Sequence, residues 1–326
     1  MLTFASSITD TLFAIMTVLT ACGCFLVGIN LMSRGFVQAT LRSNSFFTRG
    51  FNCRNRFQGA GFGFMYTVVV QSSDVTSVTL VRLADIGIIT LFQACACLIG
   101  ANIGTTVTSF IASLSAYKIL IPIFSFFAFI GAIPLLSKKR RVKTFGEIVA
   151  GFGILFIGLA LLNSAVDNQS FKDMVGSLFG FTDNPFLLIG IAVLFTMIVQ
   201  SSSVVTAMVV FLTAANLLPL PSALCLVVGA NIGTCVTSWI AAIGGSRTSR
   251  QTAMFHTFFN LVGATIFLVV MMTPLSEPVI EWIEAFKIET EFKVALFHLI
   301  FNLVAGIVMI PLLRPSVWLC KKFIRH

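Results

Sequence analysis

The chain has 326 residues, of which 57% are hydrophobic and only 10% are charged, and its mean hydropathy is +0.99. Soluble domains carry roughly a quarter charged residues, so this composition excludes a soluble enzyme, a nucleic-acid-binding domain and a disordered chain. The net charge of +9 therefore indicates basic loops on the cytoplasmic side of a membrane, where Lys and Arg accumulate.

Long apolar runs follow one another along most of the chain. A helix that spans a bilayer needs about 20 largely apolar residues. Spans are predicted at 11–33, 92–112, 119–136, 145–163, 223–243, 253–272 and 294–313. Two further apolar stretches, 59–91 and 185–216, are each interrupted near the middle by a polar cluster. Irregular backbone is tolerated at membrane depth only where protein or a water-filled cavity covers it, so both stretches are predicted to be re-entrant hairpins.

The basic residues orient this arrangement. The segments 34–58, 137–147, 244–252 and 314–326 hold 16 of the 21 Lys and Arg residues. All four segments lie on one side if neither hairpin crosses the membrane, and their basic excess makes that side cytoplasmic. The sequence predicts a multi-pass protein of the plasma (inner) membrane, with its N-terminus external and its C-terminus cytoplasmic.

Motifs of the first half recur in the second half. Gln71-Ser72-Ser73 returns as Gln200-Ser201-Ser202, and Gly-Ala-Asn-Ile-Gly-Thr occurs at 100–105 and at 229–234. The spacing from Gln to the following Gly is 29 residues in both halves, which indicates a duplication. In the predicted topology the first repeat starts by running inward and the second by running outward, so the repeats are inverted.

These patterns predict an all-α membrane protein with two inverted-topology repeats, each with a re-entrant hairpin and an interrupted transmembrane helix. The predicted units are 1–143, the first repeat with its basic connecting loop, and 144–313, the second repeat with an extra final helix. Residues 314–326 are predicted to be a cytoplasmic tail. Inverted repeats with discontinuous helices are typical of secondary transporters, which bind substrate where the repeats meet.

The polar clusters of the two hairpins predict an anion site. Each supplies hydroxyl and amide groups where a half-helix begins, and free backbone N–H groups and the helix dipole favour an anion there. The candidate substrate-binding residues are Gln71, Ser72, Ser73, Gln200, Ser201, Ser202, Ser203, Asn102 and Asn231.

The Gly-Ala-Asn-Ile-Gly-Thr segments predict a cation site. Their glycines are expected to let the helix unwind and expose carbonyl groups, which with hydroxyl and amide oxygens are hard ligands suited to sodium. The candidate sodium ligands are Asp74, Thr105, Thr106, Thr234, Gln71 and Gln200. For Asp74, which would lie beside the anion, protonation and capping of the half-helix are alternatives to sodium binding.

Other polar residues have simpler interpretations. Small and polar residues also line helix interfaces, but four clusters in symmetric pairs favour a binding site over packing. His256 and His298 each precede an Asn by four residues, which favours interhelical hydrogen bonds over a proton relay. Arg82 and Asp85 are expected to form a local ion pair, and the acidic segment that includes Glu281 is expected to be a solvated external loop.

The paired Gln-Ser-Ser and Gly-Ala-Asn-Ile-Gly-Thr motifs resemble those of the type II sodium/phosphate cotransporter family, in its bacterial branch, over about residues 20–313. The resemblance implies sodium-driven uptake of inorganic phosphate through a site assembled from both Gln-Ser-Ser regions. Asp74 stands where the family pattern has a third serine. Some relatives carry a PhoU-like C-terminal domain, which nothing here resembles. The expected partners are phosphate, sodium ions and membrane lipid, with no nucleic acid and no other cofactor, and a homodimer is left open.

Two alternative functions stay open. No Lys or Arg inside the membrane is available to select phosphate, so a transporter of sulfate or a small carboxylate is the first alternative. The second is a membrane-embedded serine hydrolase that uses His256 or His298, which requires a Ser/His pair within hydrogen-bond reach and a single activated nucleophile. The duplicated serine clusters argue against this enzyme, because a nucleophile is needed once.

Overall fold

The computed structural model describes residues 2–41, 50–166, 168–179 and 182–325, and within these ranges the regular structure is entirely helical. The first half contains α1 (Leu2–Leu41), α2 (Arg56–Val70), α3 (Ser73–Asp85), α4 (Leu91–Gly104), α5 (Thr106–Ser113) and α6 (Leu120–Leu135). The second half contains α7 (Arg140–Val166), α8 (Gln169–Phe179), α9 (Pro185–Val199), α10 (Ser202–Ala214), α11 (Leu220–Gly233), α12 (Cys235–Ala242), α13 (Arg247–Met271), α14 (Ser276–Glu284), α15 (Thr290–Met309) and α16 (Leu313–Phe323).

Among the described residues, 6 stretches are long and apolar enough to cross a membrane. They are Thr9–Ala39, Leu91–Ala116, Arg140–Ala165, Leu220–Ala242, Arg247–Met271 and Thr290–Met309. They match all the predicted spans except 119–136 and make this a multi-pass membrane protein. The helix at that position, α6, has 16 residues and is about 24 Å long, less than the roughly 30 Å of a hydrocarbon core. That α6 crosses the membrane stays a prediction.

Each apolar stretch with a central polar cluster forms two helices that meet at that cluster. Gln71 ends α2 with φ 57° and Gln200 ends α9 with φ 56°, a left-handed conformation that is uncommon outside glycine. In both, the Gln backbone N–H donates at 2.7 Å to the carbonyl oxygen of a Thr four residues earlier, Thr67 or Thr196. This bond closes the old helix, and the next helix begins within two residues. The two helix breaks therefore lie where the polar clusters predicted them.

The predicted unwinding at the Gly-Ala-Asn-Ile-Gly-Thr segments is wrong. The passage from α4 to α5, or from α11 to α12, takes a single residue, Thr105 or Thr234, whose φ and ψ stay in the α-helical region. The glycines serve close packing instead. A Cβ on Gly100 would overlap the backbone of Ala60 in α2, and a Cβ on Gly229 would overlap a carbonyl oxygen of α9. These contacts hold α4 against α2 and α11 against α9.

The helices that start at the breaks pack against helices of both halves of the chain. Helix α3 packs against α12 and α13, whereas α10 packs against α5 of the first half and against α15. Elsewhere α7 packs along α1 and α6. The start of each broken-off helix is therefore surrounded by segments that are far away in sequence.

Segments predicted to be loops or a tail contain short helices. Helix α8 buries Phe171 and Val175, α14 buries Ile283, and α16 buries Cys320. The prediction of a solvated loop around Glu281 is therefore wrong, because this exposed residue belongs to α14. The predicted boundary at 143/144 falls inside α7, and most of the predicted tail 314–326 forms α16.

Candidate functional site

The first helix break forms a hydrogen-bonded cluster that is nearly closed to solvent. The side chain of Gln71 donates through Nε2 to the carbonyl oxygen of Val68, and its Oε1 accepts from Thr108 Oγ1 of α5 at 3.1 Å. Ser72 caps α3, because its Oγ accepts the backbone N–H of Val75 at 3.2 Å. Two predicted substrate residues thus already have protein partners.

Both halves of the chain meet at the start of α3. Thr105 of the first half donates to Ser73 Oγ at 3.2 Å. Thr237 Oγ1 of α12 lies 3.2 Å from Asp74 Oδ1 and 2.7 Å from the carbonyl oxygen of Thr234, so its one proton is shared between these two acceptors. Since Ser72 is the N-cap, the alternative in which Asp74 caps the helix is wrong. Asp74 lies in the first turn of α3, where a carboxylate is favoured by the helix dipole.

The second helix break has the same backbone but leaves its polar side chains unpaired. Gln200 is exposed, whereas Ser201, Ser202 and Ser203 are 8%, 4% and 7% exposed. Ser201 does not cap α10, and none of the three hydroxyls is hydrogen-bonded to a described residue. These three hydroxyl groups can therefore bond to a ligand without giving up a bond to the described chain.

Three other predicted ligands are buried and bond to carbonyl oxygens a few residues earlier in the chain. Asn102 Nδ2 donates to the carbonyl oxygen four residues earlier at 2.9 Å, and Thr106 Oγ1 donates to the one three residues earlier, in α4, at 2.7 Å. Thr234 Oγ1 lies 2.7 Å from one carbonyl oxygen of α11 and 3.1 Å from another. A side chain that donates in this way keeps an oxygen lone pair, so these residues still offer oxygen ligands to a cation.

Two Ser–His pairs lie just beyond the Gly-Ala-Asn-Ile-Gly-Thr segments. Ser109 Oγ is 2.6 Å from His298 Nδ1, and Ser238 Oγ is 2.7 Å from His256 Nδ1. His298 Nε2 also lies 3.1 Å from Nδ2 and 3.3 Å from Oδ1 of Asn231. The predicted interhelical hydrogen bonds of the histidines are confirmed, and the predicted substrate residue Asn231 is a partner of one of them.

These pairs supply the Ser/His geometry that a serine hydrolase requires, but they are closed to a substrate. Ser109, Ser238, His256 and His298 are at most 3% exposed. A nucleophile must touch its substrate, and here the pairs occur twice with both members enclosed by helices. Their geometry therefore fits the joining of helices and does not support acyl transfer.

The far end of α3 is tied to the start of α13 by a contact that the sequence does not reveal. Asp85 Oδ1 accepts the backbone N–H of Ser246 at 2.5 Å, which holds the pKa of Asp85 below its usual range. The predicted ion pair with Arg82 is a long contact of 3.9 Å on a half-exposed side chain, so it adds little. The backbone bond is the main contact of Asp85.

A cavity of about 490 Å³ opens where the segment between α5 and α6, the start of α6 and the ends of α7, α10 and α15 come together. Its lining includes Lys118, Asn163, Ser164 and Glu291. Because α10 begins at the second helix break and ends at this cavity, the helix connects the unpaired serine hydroxyls with a polar opening.

Comparison with known proteins identifies the family. The family model described as Na+/Pi-cotransporter matches the chain twice, over residues 24–164 and 161–288. YjbB of Escherichia coli (strain K12), a protein named for inorganic phosphate export, is 28% identical over 268 residues, or 82% of this chain and 47% of YjbB. YqeW of Bacillus subtilis (strain 168) is 25% identical over 294 residues, or 88% of this chain and 91% of YqeW.

A mammalian relative shares a shorter region. Sodium-dependent phosphate transport protein 2B of Homo sapiens is 35% identical over 131 residues, which cover 37% of this chain and 19% of that protein. The chain thus spans about half the length of YjbB and less of the human protein. No solved structure matches it. Because the two family matches together cover most of its length, the chain belongs to the Na+/Pi-cotransporter family.

Proposed function

We propose that this protein is a sodium-coupled secondary transporter that imports inorganic phosphate by alternating access. Its family supports phosphate and sodium as the transported ions. The observation that carries the proposal is the second helix break, where three serine side chains without a hydrogen bond to a described residue stand at the start of α10. Hydroxyl donors, free backbone N–H groups and the positive end of a helix dipole bind an oxyanion without Lys or Arg.

The first helix break supplies the charge that a coupling cation needs. Asp74 is its one carboxylate, and it lies where α12 of the second half meets α3. Two like charges about 5 Å apart repel by roughly 3 kcal/mol at an effective dielectric constant near 20, so sodium between Asp74 and phosphate favours binding of both. The proposed sodium ligands are Asp74, Gln71, Gln200, Thr105, Thr106 and Thr234.

The transport domain is proposed to consist of two inverted repeats whose broken helices re-enter the membrane without crossing it. Two consecutive family matches and the exchange of packing partners between α3 and α10 support the repeats. The basic excess supports a plasma-membrane protein with an external N-terminus. In this membrane an inward sodium gradient would drive phosphate into the cell. YjbB is named for export, which makes efflux the competing direction.

Transport into proteoliposomes tests the proposal. Radiolabelled phosphate should enter vesicles of the purified protein when sodium, but not potassium, is in excess outside. Gln200→Ala should abolish this uptake, because Gln200 is the exposed amide at the second break. The matched control is Gln169→Ala, which removes an exposed amide on α8 and should leave uptake unchanged.

Three results would contradict parts of this assignment. Equal uptake in sodium and potassium would remove the coupling. Sulfate or a small carboxylate that is taken up in preference to phosphate would change the anion. Phosphate that leaves the vesicles against the sodium gradient would establish export.

A further inference from the structure

Each Ser–His pair adjoins the threonine that reaches the first helix break. Thr108, which donates to Gln71 Oε1 at 3.1 Å, directly precedes Ser109 in α5. Thr237, which donates to Asp74 Oδ1 at 3.2 Å, directly precedes Ser238 in α12. The same sequence of contacts, from histidine to serine to the neighbouring threonine, therefore ends on two different residues of one break.

The bonds of His298 define its role on the atomic scale. Its Nδ1 lies 2.6 Å from Ser109 Oγ, and its Nε2 lies 3.1 Å from Nδ2 and 3.3 Å from Oδ1 of Asn231. Asn231 can donate to this ring nitrogen or accept from it, because its amide keeps a second N–H beside the one that it donates to the carbonyl oxygen of Val227. In either tautomer the imidazole on α15 connects α5 of the first half with α11 of the second half.

The two short helices are supported at one end by the helix before them. Helices α5 and α12 have 8 residues each and follow α4 and α11 across a single residue in α-helical conformation. Their far ends lack this support, and a helix of this length is not stable by itself. A buried hydrogen bond one residue from each threonine therefore helps to fix the position of that threonine.

We propose that His298 and His256 are positioning residues for transport. His298 holds Ser109 and thereby places Thr108 against Gln71, whereas His256 holds Ser238 and thereby places Thr237 against Asp74. The inference rests on the proposed function, because Gln71 is a candidate residue for both phosphate and sodium, whereas Asp74 is a candidate for sodium alone. Neither histidine touches a transported ion.

The two histidines then affect different kinetic constants. His256→Phe should raise the sodium concentration for half-maximal uptake roughly fivefold, the effect of losing one ordinary hydrogen bond, with the phosphate KM at saturating sodium little changed. His298→Phe should instead raise the phosphate KM at saturating sodium by a similar factor. His298→Gln, whose amide oxygen can accept from Ser109, should restore part of the loss.

Double-mutant cycles test the route through the serines. Ser109→Ala combined with His298→Phe should raise the phosphate KM no more than the poorer single variant does, because both substitutions remove the same hydrogen bond. The control cycle, Ser109→Ala with His256→Phe, joins residues of different pairs, and its effects should multiply. Equal coupling in both cycles, or a uniform loss of rate with unchanged half-saturation constants, would overturn the positioning role.

Hydrogen exchange separates this inference from the proposed function. Faster amide exchange at 106–113 is expected in His298→Phe alone, and at 235–242 in His256→Phe alone. If the wild-type protein fails to couple phosphate to sodium but the two variants show this exchange pattern, the proposed function fails and the positioning of the short helices stands. If the wild-type protein transports and the pattern is missing, the inference fails by itself.

Discussion

The two helix breaks contain the same motif but differ in their hydrogen bonds, because a few residues differ between the two halves. Thr67 Oγ1 donates to Thr76 Oγ1 at 3.0 Å inside the first break. The corresponding position in the second half is Val205, and Thr196 Oγ1 is left buried without a partner. Asp74 also stands at a position where the second half has a serine. The side chains of the first break are therefore bonded to their surroundings, whereas the serine side chains of the second break have no hydrogen bond to a described residue.

Replacement of Asp74 tests whether its charge serves sodium. Asp74→Asn keeps an acceptor for Thr237 but removes the negative charge, so we expect a several-fold higher sodium concentration for half-maximal uptake. Asp85→Asn is the matched control, since it removes a carboxylate from the far end of the same helix and should leave sodium activation unchanged. An unchanged sodium curve in Asp74→Asn, with uptake that shifts with pH instead, would favour a protonated carboxyl group.

Sequence reasoning located the residues of the site better than their bonds. The polar clusters at Gln71 and Gln200 predict the helix breaks because they interrupt otherwise apolar stretches. The bond between Ser109 and His298 joins residues 189 positions apart, so no local pattern indicates it. The motif spacing also cannot reveal that one Gln is buried and the other exposed, because that depends on the helices packed around each break.

At the scale of helices, glycine misled the interpretation of the Gly-Ala-Asn-Ile-Gly-Thr segments. Glycine favours irregular backbone in isolation, but here it lets two helices approach until their backbones touch. The short helices α8 and α14 were missed for a related reason. Each buries only one narrow apolar face, so its many polar residues resemble a loop.

The close packing of α11 on α9 gives a stability prediction. Gly229→Ala places a methyl group against a carbonyl oxygen of α9, and overpacking of this kind costs about 1–3 kcal/mol. Gly190→Ala in α9 is the matched control, because nothing lies within 4 Å of the added carbon and alanine is the better helix former. Thermal unfolding of the purified variants should show a lower midpoint for Gly229→Ala only. Equal midpoints would mean that the helices separate at little cost.

For the molecule as a whole, the two helices that start at the breaks, α3 and α10, differ at their far ends. At the end of α3, the bond from Ser246 to Asp85 ties α3 to the start of α13. At the end of α10, a polar cavity of about 490 Å³ lies between the helices. One tied end and one open end are what the proposed alternating-access mechanism expects of one of its two arrangements.

The topology prediction depends on whether the broken helices cross the membrane. Between Lys139 and Lys287 lie α7, the pair α9 and α10, the continuous α11 and α12, and α13. If the broken pair returns to the side it came from, three crossings remain and the two lysines lie on opposite sides. A crossing pair would place both lysines on the same side. Between Arg54 and Lys139 lie the pair α2 and α3, the continuous α4 and α5, and α6. If α6 crosses the membrane as predicted, these two residues lie on the same side only when the pair α2 and α3 does not cross.

Cysteine labelling in intact cells therefore decides the topology. The native cysteines of the described chain are buried or half-buried, so Cys introduced for the exposed residues Arg54, Lys139 and Lys287 provides the reactive sites. An impermeant thiol reagent should label Lys287→Cys, and should label Arg54→Cys and Lys139→Cys only after the membrane is opened, because the basic segments are cytoplasmic. Labelling of Lys139→Cys and Lys287→Cys from the same side would show that α9 and α10 cross. Labelling from outside of Arg54→Cys together with Lys287→Cys, with Lys139→Cys protected, would show that α2 and α3 cross or that α6 does not.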